Sequence, residues 1–283
     1  VHLGHQALLD AVKELAGERG RGVVTFGEHP DQLVLGTAPG LISTPADRER
    51  LLRNFGMERI VTLPFDRKML ETPWQDFLEE LRKDYGAAGF VCGEDFRFGA
   101  KGAGTAAMLA QWCRERGLPW AVVPEQDYEG VRVSSTHIRT LLETGDMARA
   151  VAFLGHPYVL TGTVVHGHQL GRTLGIPTAN LVLPEGLAVP RFGVYACKVR
   201  LGDRTYAAVT NIGTRPTVGG HRITVEPWIL DYLGDLYEKT ITLEFYEFLR
   251  PERKFDSLEE LKAEIERNAE QTRELFEVPK AFM

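Results

Sequence analysis

The sequence predicts an α/β domain built on a parallel sheet, followed by a small antiparallel β-barrel that ends in a helix. Three observations predict it. Over the first half, short apolar runs alternate with amphipathic helical stretches, the pattern of a parallel sheet covered by helices. From Tyr158 onward, β-branched and aromatic runs succeed one another, split by Gly, Asp and Pro, as in a small barrel. A chain of 283 residues is long for one core and ample for two domains. The division is placed near Gly155 to Pro157, giving domains 1–156 and 157–283.

Each element has a local signal. Leu3 to Gly17 repeats apolar residues at helical spacing, and Gly22 to Phe26 is a short buried-type strand. Thr44-Pro45 offers an N-cap and a proline at N1, and Gly56 ends that helix. Arg59 to Leu63, Gly89 to Cys92 and Trp120 to Val123 read as strands, with helices at Trp74 to Tyr85 and Thr105 to Arg116. That order implies a doubly wound, Rossmann-like sheet. A further helical run, Met147 to Leu154, precedes the boundary. The barrel strands are expected at Tyr158 to Val165, Gly193 to Leu201, Thr205 to Asn211, Ile223 to Tyr232 and Lys239 to Leu249. Ser257 and Glu260 form a capping box, and Leu258, Leu261, Ile265 and Leu275 recur on one face of a closing helix.

Composition narrows the function classes. Hydrophobic residues make up 43% and charged residues 25%, which is ordinary globular usage. The net charge of −6 argues against nucleic acid as a partner, and no apolar run approaches a membrane span. Cys92, Cys113 and Cys197 are odd in number and widely spaced, so neither a disulfide framework nor a zinc site is suggested and a cytoplasmic setting fits. No signal peptide precedes the first helix, and the start at Val1 reads as a trimmed N-terminus. Self-association, if any, is expected to be weak.

The densest chemistry lies in Gly162 to Asn180. Gly167, Gly171 and Gly175 permit close backbone approach to phosphate oxygens, and Arg172 adds a positive fork. Thr178 and Asn180, two apart in an extended segment, face the same way and can share one Mg²⁺ through hard oxygens. A glycine-rich hairpin is the plain alternative. Glu226, preceding Pro227, is a lone carboxylate on a β-branched run and a candidate general base; the plain alternative is a solvated strand carboxylate, for which Glu244 or Glu247 is equally available. Pro227 removes a ladder donor and so marks a strand edge or a bulge.

In the first half, His2-Leu3-Gly4-His5 puts two imidazoles on the first turn of a helix whose N-terminus suits a triphosphate. Val133-Ser134-Ser135-Thr136-His137-Ile138-Arg139 places hydroxyls just before a second helix and an arginine one turn inside it, a second anion site or simply an N-cap. Gly93-Glu94-Asp95-Phe96-Arg97-Phe98-Gly99 pairs aromatic faces with an arginine, suited to a planar ring and a phosphate, or to filling a sheet edge.

Together these strings resemble the bacterial bifunctional riboflavin kinase/FAD synthetases over nearly the whole chain. The His-x-Gly-His and Ser-Ser-Thr-x-Ile-Arg patterns are similar to those of the nucleotidylyltransferase superfamily. The Gly-x-Asp-Phe-Arg-Phe-Gly loop resembles its flavin branch. The glycine-rich segment, Gly193-Val194-Tyr195, Asn211 to Thr217 and Leu249 to Phe255 resemble a riboflavin kinase barrel.

The resemblance implies two steps. The barrel phosphorylates riboflavin to FMN with ATP, and the N-terminal domain adenylylates FMN to FAD, both with Mg²⁺. It implies His2 and His5 as catalytic groups of the second step and Glu226 as that of the first. Gly4, His29, Ser134, Ser135, Thr136, Arg139, Gly167, Gly171, Arg172 and Thr178 fall on nucleotide or phosphate contacts. Asp95, Phe96, Arg97, Phe98 and Arg250 fall on flavin contacts, and Thr178 with Asn180 on the metal. Arg250 either stacks on the flavin ring or lies over the barrel.

The chain departs from the family pattern at Glu28, at Pro227-Trp228 and at Asn268. It also departs by lacking the family's first strand and turn before His2. The alternatives kept are a riboflavin kinase with a degenerate N-terminal domain, and a flavin or nucleotide binding module without catalysis.

Overall fold

The computed structural model describes residues 1–27, 33, 36–166, 175–217 and 220–278. They divide into two compact units, Val1–Leu41 with Arg48–His137, and Ile42–Asp47 with Ile138–Met283.

In the first unit, α1 (Leu3–Ala16) leads to β1 (Gly22–Phe26), which pairs in parallel with β2 (Arg59–Leu63). Between them in the chain runs α2 (Pro45–Asn54), whose first residues belong to the second unit; there the Thr44 hydroxyl accepts the Asp47 N–H at 3.0 Å, the cap the sequence predicts. Helices α3 (Arg67–Glu71) and α4 (Trp74–Lys83) precede β3 (Phe90–Gly93), and α5 (Ala106–Glu115) precedes β6 (Trp120–Val123), the parallel partner of β3. Thus the parallel strands form two pairs among the described residues, not one continuous sheet. Helix α1 bridges them: it packs on β3 and β6, while its Leu9 joins Leu52, Met57, Val23 and Ile60 beside the other pair.

Helix α4 buries Phe77, Leu78 and Leu81, one stripe at helical spacing, against Phe90, Leu109 and Trp112. Each such side chain contributes roughly 1.5–3 kcal/mol of transfer free energy. Two short hairpins complete the unit, β4 (Arg97–Phe98) with β5 (Gly104–Thr105), and β7 (Asp127–Tyr128) with β8 (Val131–Arg132). Helix α6 (Ser135–Thr144) starts directly after β8.

In the second unit, α7 (Met147–Leu154) ends on Gly155, whose left-handed φ of 69° lets its N–H close the last turn on Val151. Six antiparallel strands follow in the order β10-β13-β12-β11-β14-β9. They are β9 (Tyr158–Thr163), β10 (Leu181–Val182), β11 (Gly193–Leu201), β12 (Arg204–Thr217), β13 (Gly220–Ile229) and β14 (Thr240–Pro251). The outer strands approach each other where the Val165 N–H donates to the Asn180 carbonyl at 2.8 Å, so the sheet is nearly a closed barrel. Its interior is filled by Tyr158, Leu160, Tyr195, Cys197, Ile212, Val225, Leu243 and Phe245, all essentially inaccessible. No helix among the described residues is long and apolar enough to cross a membrane.

The closing helix α8 (Leu258–Phe276) packs on β11 and β12 through the face its leucines suggest, with Leu261 and Ile265 half-buried on it. Its buried positions are Glu264, Asn268, Ala269 and Thr272, while Leu258 and Leu275 are exposed. Arg253 and Arg267 each reach Glu264 Oε2 at 2.9 Å, and Arg250 donates to Asn268 Oδ1 at 2.9 Å, so polar groups buried on this face are satisfied. The capping box is also altered: Ser257 caps the Glu260 N–H at 3.1 Å, but Glu260 accepts from Asp256, one residue before the cap.

Pro227 likewise differs from expectation. It lies within β13, between β12 and β10, and the β12–β13 register is continuous from Ala208↔Ile229 to Thr217↔Gly220, without a bulge. Its carbonyl accepts the Ala179 N–H at 2.9 Å, so its missing donor faces the β10 side, where pairing is reduced to a bridge at Thr178.

Candidate functional site

Two groups of chemistry-bearing residues emerge, one in each unit. In the first unit, His2, Gly4, His5, Asp95, Ser134 and Ser135 line a single cleft of about 240 Å³. The N-termini of α1 and α6 therefore open on the same space, each adding a partial positive charge.

His2 is the N-cap of α1 and folds back on His5 in a reciprocal cap. The His2 N–H donates to His5 Nδ1 at 3.4 Å, and the His5 N–H donates to His2 Nδ1 at 3.4 Å. The rings stack with centroids 3.8 Å apart. A ring that accepts at Nδ1 carries its proton on Nε2, so both imidazoles are neutral donors through Nε2. Burial foremost, with the nearby Arg48, pushes the His5 imidazole down to about 4. The residue is exposed to solvent although its surroundings are dense. The Nδ1 acceptor role and the lowered value together leave it uncharged at neutral pH. Gly4 makes the fold-back possible, since a Cβ there would lie 3.2 Å from two atoms of the His2 ring.

On the opposite wall, Ser134 caps α6 by accepting the His137 N–H at 3.2 Å, leaving its own O–H to donate. Thr136 lies in the first turn of α6, and Arg139, on the same helix, belongs to the second unit. Phe98 is buried against Phe77 and Trp74, anchoring the aromatic loop, while Phe96 stacks on it at 5.3 Å and stays 40% exposed. Arg97 is exposed on β4. Sequence reasoning passed over Arg132, which bridges Asp95 at 2.8 Å and also pairs with Glu125 at the cleft. Its position just before the Val133 string was the available signal.

In the second unit, Leu181 pairs with Val225 and Thr178 bridges Trp228, so the same register sets Asn180 opposite Glu226. Directly opposed residues of an antiparallel pair leave the sheet on the same face. Thr178, Asn180 and Glu226 therefore share one face across two adjacent strands. Asn180 is buried, and the Thr224 hydroxyl donates to Glu226 Oε1 at 3.1 Å. A hydroxyl, a carboxamide oxygen and a carboxylate make a hard-oxygen set that fits Mg²⁺.

Arg250 is only 15% exposed; it bonds Asn268, lies 3.4 Å from Glu264 and sits over the Phe255 ring. Asn268 thereby has a structural role as the acceptor for Arg250 Nε. His29, Gly167, Gly171 and Arg172, with Glu28, lie outside the described residues.

A parallel-stranded unit with a cleft at two helix N-termini, joined in one chain to a small barrel with a carboxylate beside a hydroxyl and a carboxamide, fits a two-domain nucleotide-dependent transferase. Known proteins agree. The FAD synthetase family model matches residues 1–137, and the riboflavin kinase model matches residues 154–276.

The bifunctional riboflavin kinase/FMN adenylyltransferase of Escherichia coli (strain K12) is 37% identical over 99% of this chain and 91% of its own length. That of Listeria monocytogenes is 33% identical over 98% of this chain and 89% of its own. A crystal structure from Streptococcus pneumoniae, solved under the name Macrolide-efflux Protein, superposes with a TM-score of 0.85 at 32% identity, covering 96% of this chain and 90% of that one. Its name stays with that protein, and the shared architecture is what it contributes here. The chain belongs to the bifunctional riboflavin kinase/FMN adenylyltransferase family.

Proposed function

We propose that this chain makes FAD from riboflavin in two ATP-dependent steps, one in each domain, with the boundary at 156/157. The observation that carries the kinase half is the register that brings Thr178, Asn180 and Glu226 onto one face. Glu226 is the general base there: it takes the proton of the riboflavin 5′-hydroxyl as that oxygen attacks the γ-phosphorus of ATP, and ADP leaves. The hydrogen bond from Thr224 orients the carboxylate. Thr178 and Asn180 would hold Mg²⁺, which when bound neutralises phosphate charge.

In the other domain, a phosphate oxygen of FMN attacks the α-phosphorus of ATP and pyrophosphate departs. His2 and His5 donate through Nε2 to the charge that develops on the phosphoryl oxygens, and the α1 and α6 N-termini add fixed dipoles. Because the donors are held by the cap before substrate arrives, little reorganisation accompanies the reaction. Thr136 and Arg139 are assigned to the adenylyl phosphates, with His29, and Gly167, Gly171 and Arg172 to those of the kinase site. Asp95, Phe96, Arg97 and Phe98 are assigned to the flavin of the adenylyl step, and Arg250 to the flavin side of the barrel. A cytoplasmic setting suits the ATP-dependent chemistry.

The test is incubation of purified chain with riboflavin and Mg-ATP, followed by separation of the flavins. FMN should appear first and FAD after it. FMN without FAD would leave only the kinase, and neither product would refute the reading.

A further inference from the structure

The row of polar residues around Glu226 continues one strand further. Asn211 of β12 pairs with Glu226 of β13, so both side chains leave the same face. Asn211 Nδ2 in turn donates to Glu252 Oε1 at 3.4 Å, from the segment that follows β14. Glu252 has room to do so only because residue 213 is glycine. A Cβ at Gly213 would overlap Glu252 Oε1 outright and would come within 3.1 Å of its Cδ and 3.2 Å of Asn211 Nδ2. Gly213 is not among the glycines with positive φ. Its backbone conformation is open to any residue, and what the glycine provides is space for a carboxylate.

We propose that Glu252 is a positioning residue for riboflavin phosphorylation, acting through Asn211. An ionised carboxylate only accepts hydrogen bonds, so it decides which end of the Asn211 amide faces it. The NH₂ end turns to Glu252 and the oxygen turns away, as an acceptor beside Glu226. The ligand chemistry this suits is a hydroxyl of a polyol tail, held while the neighbouring terminal hydroxyl meets the base. This rests on the reading of the barrel as a riboflavin kinase.

Two substitutions test it in the full chain by different routes. Glu252→Gln keeps the size but gives the amide a partner that can both donate and accept. Gly213→Ala keeps every charge and pushes the carboxylate from its seat. Both should raise KM for riboflavin about five- to twentyfold, the loss of one hydrogen bond, with kcat within about threefold. KM for ATP in that step and FAD formation from supplied FMN should stay at the parent values. The double variant should be no worse than either single one, because both remove one contact.

A riboflavin KM within twofold of the parent in both variants would overturn the proposal, as would loss of both activities with a lowered melting temperature. If Gly213→Ala alone fails to fold, Glu252→Gln, an exposed and isosteric change, decides. A second readout needs no turnover. The side-chain NH₂ resonances of Asn211 should move in both variants, and resonances that stay in place would overturn the contact itself. A parent chain that forms no FMN would strike the kinase reading, and this spectrum would still judge the positioning of Asn211.

Discussion

The reciprocal cap at His2 and His5 makes a prediction about pH. With its imidazole at about 4, His5 is protonated in roughly one molecule in a thousand at pH 7, and in a few per cent at pH 5.5. A free imidazole near 6.5 would already be about 90% protonated at pH 5.5. The perturbation is His5→Asn, whose oxygen can still accept the His2 N–H, so the cap is kept while the Nε2–H donor is lost. Loss of one preorganised donor should lower kcat for FAD formation by about 10²–10³-fold.

The assay is kcat/KM for FMN adenylylation in parent and variant from pH 5.5 to 8. Their ratio should be flat within about twofold, because taking the ratio cancels the titration of the FMN phosphate. If instead the ratio changed about tenfold with a midpoint between 6 and 7, His5 would be titrating as an ordinary imidazole and the reasoning would fail. Stability follows the same linkage. The folded value lies below the unfolded one, so the unfolded chain binds the extra proton between about pH 4 and 6.5; this contribution is whole above 6.5 and is lost as pH falls toward 4.

The remaining predictions are independent of that site's titration. Glu226→Gln should retain the bond from Thr224 and lower riboflavin phosphorylation by about 10²–10⁴-fold, with FAD formation from FMN unchanged; flavin chromatography reads both. Gly99→Ala combines a φ of +70° with a Cβ 2.5–2.6 Å from the Trp74 backbone, so urea unfolding should show a loss of about 2–4 kcal/mol. Cys92, Cys113 and Cys197 are buried and free, with burial pushing Cys92 up to about 11. A thiol reagent at pH 8 should therefore label the native chain slowly and all three thiols after unfolding.

What was legible in the sequence is local chemistry. The Thr44 and Ser134 caps, the Gly56 stop and the β1 strand are each written within a few residues of where they act, and the structure places them there. The His-x-Gly-His and Ser-Ser-Thr strings were also readable as helix starts, and helices begin there. What sequence could not show is pairing between distant residues.

The seat of α8 is completed by Arg250 and Arg253 meeting Glu264, contacts between distant segments that a periodicity of leucines does not reveal. Arg132 holds Asp95 from another hairpin. The alignment of Asn180 with Glu226, and of Glu226 with Asn211, follows from sheet register, which no single segment encodes. Glu252 was passed over because its significance depends on an absent side chain at Gly213 on another strand.

The most direct test of two separate sites acting in sequence is a mixing experiment with Glu226→Gln and His5→Asn chains, given riboflavin and Mg-ATP. Neither variant alone should accumulate FAD at an appreciable rate, whereas the mixture should form it by passing FMN from one chain to the other. FAD produced at the parental rate by either variant alone, or a mixture that makes none although each retains its other step, would contradict the account.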